Sequence, residues 1–140
     1  MILVDTSVVL DIATVDPRWF GWSSAQIAHF ANREELVISP IIYAELAVKA
    51  PSASDLDARL AGFGWRPLTQ EVAWRAAKAF ESYRAKGGRR ENLLGDFWIG
   101  AHAEVEGLAL LTRNPADFAR FNVPRLIAPG HHDVPVPPAG

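Results

Sequence analysis

Three carboxylates in this sequence stand where a carboxylate is costly. Asp5 ends the apolar run Met1-Ile2-Leu3-Val4, and Glu45 lies among Ile41, Ile42, Tyr43, Ala44, Leu46 and Ala47. Asp96 is the only charge within Leu93-Leu94-Gly95-Asp96-Phe97-Trp98-Ile99-Gly100-Ala101. An unpaired buried carboxylate costs on the order of several kcal/mol, so each needs a local duty, a cation or a bound ion. Local duties exist: Asp5 and Asp96 both stand where a helix N-cap is wanted, and Glu45 can reach water from its own helix face. Thr6 and Ser7 can supply the first of those caps, which leaves Asp5 free. Asn114 and Asp117 are two further oxygen donors. Asn114-Pro115-Ala116-Asp117 also reads as an N-cap, a proline at the first helical position and an acid at the third.

Oxygen donors without thiolates or clustered imidazoles favour a hard ion, Mg²⁺ or Mn²⁺. The sequence has no cysteine; of its four histidines, His29 and His102 fall on predicted helices and His131-His132 in the tail. Ions of this kind keep waters and bind substrate phosphate. One ion acidifies a water while a second, about 4 Å away, stabilises a leaving oxygen, which is what phosphodiester hydrolysis needs. Cations for phosphate are at hand in Arg113 and in Arg89 and Arg90, which with Arg84 and Lys86 surround the Gly87-Gly88 break. Arg113 is also readable as an ordinary surface arginine. No phosphate-binding P-loop, dinucleotide-type glycine turn or serine-nucleophile elbow is present.

The elements that must position these groups follow from the apolar pattern. The runs at 1–4, 36–38 and 108–111 read as strands buried on both faces, as in a parallel sheet. Short strands are expected around 62–68 and at 123–127. Helices are expected after Asp5, from Ser23 to about Asn32 (Ser23 and Gln26 forming a capping box), after Ser39-Pro40, over 56–61, from Thr69 to the Gly87-Gly88 break, over 93–105, and after Asn114-Pro115. The segment Pro17 to Trp22 reads as irregular. Strands alternating with helices predict an α/β domain with a parallel sheet, spanning 1–130, and a tail over 131–140 expected to be disordered. In such a sheet the site lies beyond the carboxyl ends of the strands, where Asp5, Ser39 and Thr112-Arg113-Asn114 stand.

Composition bounds the partners. At 140 residues, 49% of them apolar, the chain is long enough to bury a core. No stretch reaches the roughly 20 apolar residues of a membrane span, and Met1 to Asp5 is not a signal peptide, so a cytoplasmic protein is the expectation. A net charge of −2 excludes a basic nucleic-acid coat but not an acidic metal site with local basic residues.

Four segments, in order and spanning nearly the whole chain, resemble the PIN-domain ribonucleases, and among them the VapC toxins of VapBC toxin–antitoxin pairs. These are Ile2-Leu3-Val4-Asp5-Thr6-Ser7, Ile38-Ser39-Pro40-Ile41-Ile42-Tyr43-Ala44-Glu45-Leu46, Leu94-Gly95-Asp96-Phe97-Trp98-Ile99-Gly100-Ala101-His102-Ala103, and Leu111-Thr112-Arg113-Asn114-Pro115-Ala116-Asp117-Phe118. The resemblance implies a three-layer α/β/α domain with a central parallel sheet and metal-dependent cleavage of RNA. It carries the family's acids onto Asp5, Glu45 and Asp96, and places Thr6 or Ser7 beside the metal. Where the family often has a fourth acid, directly after the Thr-Arg pair, this chain has Asn114; the Asn114 carbonyl or Asp117 through water would replace it. The resemblance also implies a homodimer and a VapB-like antitoxin that blocks the active-site groove. Trp19, Phe20 and Trp22 are assigned to a protein interface rather than to the core.

The expected activity is therefore Mg²⁺- or Mn²⁺-dependent endoribonuclease, with no membrane partner. One alternative is a non-catalytic PIN-like module that binds RNA or protein, kept open by Asn114. Another, a phosphatase with Asp5 as nucleophile, is disfavoured because such enzymes commonly want a second aspartate at position 7, which is Ser7.

Overall fold

The three central strands are short, apolar and fully buried, as a sheet covered on both faces requires. In the computed structural model, which describes residues 1–91 and 94–137, β1 (Ile2–Val4), β2 (Leu36–Ile38) and β4 (Ala109–Leu111) are buried at every position. Two edge strands, β3 (Gly64–Trp65) and β5 (Leu126–Ile127), complete a sheet of order β3-β2-β1-β4-β5, parallel throughout. An all-parallel sheet must be covered by helices on its faces. The chain supplies α1 (Thr6–Ala13), α2 (Phe20–Ala31), α3 (Pro40–Ala47), α4 (Ala53–Arg59), α5 (Gln70–Ala85), α6 (Gly95–Glu106) and a 3₁₀ turn at Pro115–Phe118. This is the α/β architecture the alternation predicts.

Strand order reverses direction at β1, whose neighbours are β2 on one side and β4 on the other. A crevice opens at such a switch point, beyond the carboxyl ends of the two strands. Asp5 follows β1 and Thr112 follows β4, and Asp5 N–H donates to the Leu111 carbonyl at 2.9 Å.

Local chemistry fixes the helices that reach this edge. Ser39 caps α3 by accepting from Ile42 N–H, with Pro40 at the first position. Thr69 caps α5 through Val72 N–H at 3.2 Å. Helix α6 ends at Gly107, whose φ of 64° is the left-handed conformation that residues with a Cβ avoid. It packs on α5 through Phe97, Ala101, Val72 and Ala76, which with Phe121 from beyond the 3₁₀ turn form a second apolar cluster beside the main core.

Three expectations need correction. The helix expected at Ser23 begins at Phe20, and Ser23 and Gln26 form no capping box: both are fully buried and bond across the fold. Ser23 Oγ donates to Asp11, while Asp16 holds the chain entering α2 by accepting from Arg18 and Trp19 N–H. Trp22 is core rather than interface, 7% exposed, with Trp19 packed edge-on against it; only Phe20 of the three is open to solvent. Finally, the start of the tail expected to be disordered is tied down. The Gln26 amide donates to the Val134 carbonyl and accepts from its N–H, and Trp22 Nε1 donates to Asp133. The helix expected over 93–105 is described from Gly95 to Glu106, Leu93 lying outside the described residues. No helix among the described residues is long and apolar enough to cross a membrane.

Candidate active site

Asp5 occupies the N-cap position of α1, yet its side chain makes no cap bond. Both hydroxyls that face it bind the same oxygen: Ser7 Oγ donates to Oδ2 at 2.7 Å and Thr112 Oγ1 at 2.8 Å. Oδ1 accepts no hydrogen bond from the described residues. Burial lifts the Asp5 carboxyl to about 6, against the opposing pull of the Ser7 and Thr112 bonds, with the charges of Asp96 and Glu45 adding to the rise.

Glu45 sits on the open face of α3, and Thr6 Oγ1 donates to its Oε1 at 2.6 Å. The partner wall is the start of α6. A Cβ at Gly95 would stand 2.6 Å from Glu45 Oε2, so the carboxylate lies against bare backbone. Loss of solvent there raises Glu45, opposed by the Thr6 bond, and the charge of Asp96 raises it further.

Asp96 follows one residue later, in the first turn of α6, whose N-cap position is Leu94. It is not a cap. Arg90 Nη1 approaches its Oδ2 at 3.3 Å. Burial and the charge of Asp117 raise the Asp96 carboxyl, while Arg90 and Arg120 pull it back. The mutual shifts place Asp5, Glu45, Asp96 and Asp117 in one electrostatic neighbourhood.

The three acids assigned from the sequence act on one another through their charges; Ser7 donates to Asp5 and Thr6 to Glu45, while Asp96 is met by Arg90. The sequence places Thr112 at this edge without a role; in the fold it holds Asp5. Asn114 half-joins the group: its N–H donates to Thr112 Oγ1 at 3.0 Å, and its side chain caps nothing. Arg113 departs from expectation. Its Nε is committed to both oxygens of the buried Asp11 and its guanidinium lies over Trp19, so it is neither a free phosphate cation nor an ordinary surface arginine. Arg90 sits at Asp96, and Arg89 is exposed.

Among the described residues, no three His, Cys, Asp or Glu side chains lie close enough to cage an ion. The donor set nonetheless fits Mg²⁺ or Mn²⁺, because Mg²⁺ uses only one or two carboxylates and keeps several waters. Neither Asp5 nor Glu45 has an ion pair among the described residues, and both carboxyls are raised for want of solvent and counter-charge. A dication held by one or two of these carboxylates, its remaining positions filled by water, would supply the missing counter-charge.

Known proteins resemble this chain in family and in fold. The PIN-domain family model matches residues 2–123. Ribonuclease VapC10 of Mycobacterium tuberculosis (strain ATCC 25618 / H37Rv) is 34% identical over 137 residues, covering 94% of this chain and 97% of the relative. A crystal structure of VapBC2 from Rickettsia felis, bound to a DNA fragment from their promoter, superposes with a TM-score of 0.67 at 20% identity, over 91% of this chain and 97% of that one. A toxin–antitoxin complex from Klebsiella pneumoniae gives 0.64 at 24% identity, over 85% and 91%. At these identities the structural likeness is one of fold.

Proposed function

The chain belongs to the PIN-domain family, and on that premise we propose that it is an endoribonuclease, hydrolysing RNA phosphodiester bonds as the toxin of a toxin–antitoxin pair. The observation that carries the reading is the state of Asp5. Two hydroxyls bond one carboxylate oxygen and leave the other without a hydrogen bond among the described residues, in a buried carboxyl that the charges of Asp96 and Glu45 raise further. The relative VapC10 is called a ribonuclease, and its alignment runs nearly end to end.

In this reading Asp5, Glu45 and Asp96 hold Mg²⁺ or Mn²⁺, with the Asn114 carbonyl and Asp117 as further oxygen donors. When bound, such an ion supplies Lewis-acid stabilisation of phosphate charge and an acidified water. The chain's own contribution is orientation. Thr112 and Ser7 fix the Asp5 carboxylate, Thr6 fixes Glu45, and Gly95 leaves room for it. A water attacks phosphorus in line and the 3′ oxygen leaves. Arg89 and Arg90, at the Asp96 end, meet the RNA backbone. Single-stranded or looped RNA suits an open rim, because its bases can splay out. The partners are a VapB-like antitoxin covering the groove and a second copy of the chain.

The test is cleavage of a mixed RNA pool by the purified protein with Mg²⁺ or Mn²⁺, against EDTA and an Asp5→Ala variant. Metal-dependent cutting lost in the variant is the expected result. RNA binding without cutting, together with no metal uptake by calorimetry, would replace the nuclease with a non-catalytic RNA-binding module, the reading that Asn114 keeps in view.

A further inference from the structure

Beside the acid rim the chain makes a second, basic recess. The turn after α5 is folded onto Tyr83. The Tyr83 hydroxyl accepts from Arg89 and Arg90 N–H at 3.1 and 3.2 Å, and Arg84 Nη1 donates to the carbonyls of Gly88 and Arg90 at 2.9 and 3.1 Å. A Cβ at Gly88 would lie 2.4 Å from the Tyr83 ring, so the backbone lies against that ring only because residue 88 has no side chain. Arg120 covers the same ring, its guanidinium 5.1 Å from the centroid and 4.7 Å from that of Phe97. Between turn and arginine opens a cleft of about 440 Å³, lined by Ser82, Tyr83, Lys86, Gly87, Gly88 and Arg120 together with Ala79.

The charge of this cleft is one-sided. Lys86 and Arg120 are both exposed, neither forms an ion pair with a described acid, and no carboxylate lines the recess. Arg120 is held in place by the two rings and by a long bond, 3.5 Å, to the Asp117 carbonyl. Its guanidinium is thus fixed in advance rather than ordered on binding. The cleft adjoins the acid rim, since Arg120 acts on the Asp96 carboxyl and Arg90 of the same turn touches it. With Tyr83 already engaged by Gly88 and Arg120, the recess offers positive charge and a hydroxyl rather than a free ring for a base.

We propose that this cleft is a phosphate subsite, in which Lys86, Arg120 and the Ser82 hydroxyl hold a backbone phosphodiester of the RNA strand flanking the one that is cut. The assignment rests on the nuclease reading for its substrate, but binding at the cleft requires no metal and no cleavage. It sets the direction in which the strand leaves the rim, past Arg90 and along the end of α5.

The experiment uses the full chain in EDTA, a short fluorescein-labelled single-stranded RNA of mixed sequence, and anisotropy titrations over a range of salt. Each phosphate contact contributes a slope of about 0.7 in the fall of log K with log salt for single strands. Lys86→Ala and Arg120→Gln are each expected to weaken binding several-fold at low salt and to lower the slope, and together to lower it by about 0.7, the share of the one phosphate they hold in common. Lys49→Ala, which removes one charge at the end of α3, is expected to leave the slope as it was. Lys86 makes no side-chain bond among the described residues, so it decides the matter should Arg120→Gln alter the melting temperature. Unchanged slopes in Lys86→Ala, or an equal fall in Lys49→Ala, would overturn the subsite. A lowered slope in a protein that never cuts would keep the subsite and remove the nuclease; metal-dependent cutting with unchanged slopes would do the reverse.

Discussion

Arg113 Nε lies 2.9 and 3.0 Å from the two carboxylate oxygens of Asp11, a side chain only 2% exposed. The pair joins the end of β4 to α1, and Ser23 Oγ from α2 donates to the same Asp11 at 2.8 Å. Three elements that meet at the switch point are therefore clamped by one buried charge. Thr112, which holds Asp5, is the residue immediately before that clamp.

Removing one partner of a buried pair strands the other, at a cost of about 3–5 kcal/mol. Arg113→Ala is therefore expected to destabilise the fold by that order in urea unfolding at neutral pH. Adding Asp11→Asn to Arg113→Ala should recover much of the loss, because the stranded charge is gone. Wild-type stability in Arg113→Ala would mean that Arg113 serves substrate rather than Asp11.

Gly95 and Glu45 give a sharper separation of stability from activity. A methyl group at residue 95 would stand 2.6 Å from Glu45 Oε2 and 2.9 Å from Cδ, while the Glu45 side chain is free to swing toward solvent. Alanine also suits a helix better than glycine, by up to about 1 kcal/mol in a helix interior and less at this first position. Gly95→Ala is expected to melt no lower than the parent, yet to lose at least about tenfold in cleavage rate, since small displacements of a positioned group are costly. Unaltered cleavage would show that the Thr6-bound position of Glu45 is not the working one.

Much of this was legible in the sequence, and what was not has identifiable causes. The strands at 2–4, 36–38 and 109–111 show as continuous apolar runs because both faces are buried, and Asp5, Glu45 and Asp96 stand out because they interrupt apolar surroundings. Ser39 and Thr69 cap as read because capping is local. Ser23 with Gln26 has the same local signature, but burial overrides it: both side chains serve contacts made across the fold, one to Asp11 and one, 108 positions away, to Val134. Trp22 and Arg113 were misplaced for the same reason, as no local pattern announces a partner at Asp133 or Asp11.

Gln26 offers a direct test of the ordered tail. Its amide is wholly buried and supplies both a donor and an acceptor to the Val134 backbone. Gln26→Leu leaves those two groups unpaired, each worth about 1–3 kcal/mol if it stays buried. The tail is expected to detach instead, which limited proteolysis would register as rapid cleavage after His131 while the rest of the chain resists. Equal protection of tail and core in the variant would show that Trp22 and its bond to Asp133 suffice.

Asp5 makes the metal-free protein sensitive to pH in a direction opposite to that of a salt-bridged carboxylate. Its folded value is about 6 and its ordinary value 3.8, so between these the folded chain holds a proton that the unfolded chain has released. Stability from this group is therefore full below pH 3.8 and declines as pH rises to about 6; beyond that the penalty is constant, about 3 kcal/mol for a difference of roughly two pH units. Asp5→Asn removes the charge and so the penalty. In EDTA at pH 8 the variant is expected to unfold several degrees above the parent, with the advantage shrinking through pH 6 and gone by pH 4. Mg²⁺ or Mn²⁺ should raise the melting temperature of the parent and not that of the variant, because a dication offsets the same desolvated charge. A variant less stable than the parent at pH 8 in EDTA would mean that the hydroxyls of Ser7 and Thr112 stabilise the Asp5 carboxylate by more than burial costs it, and the crevice would lose its claim to a frustrated, metal-seeking acid.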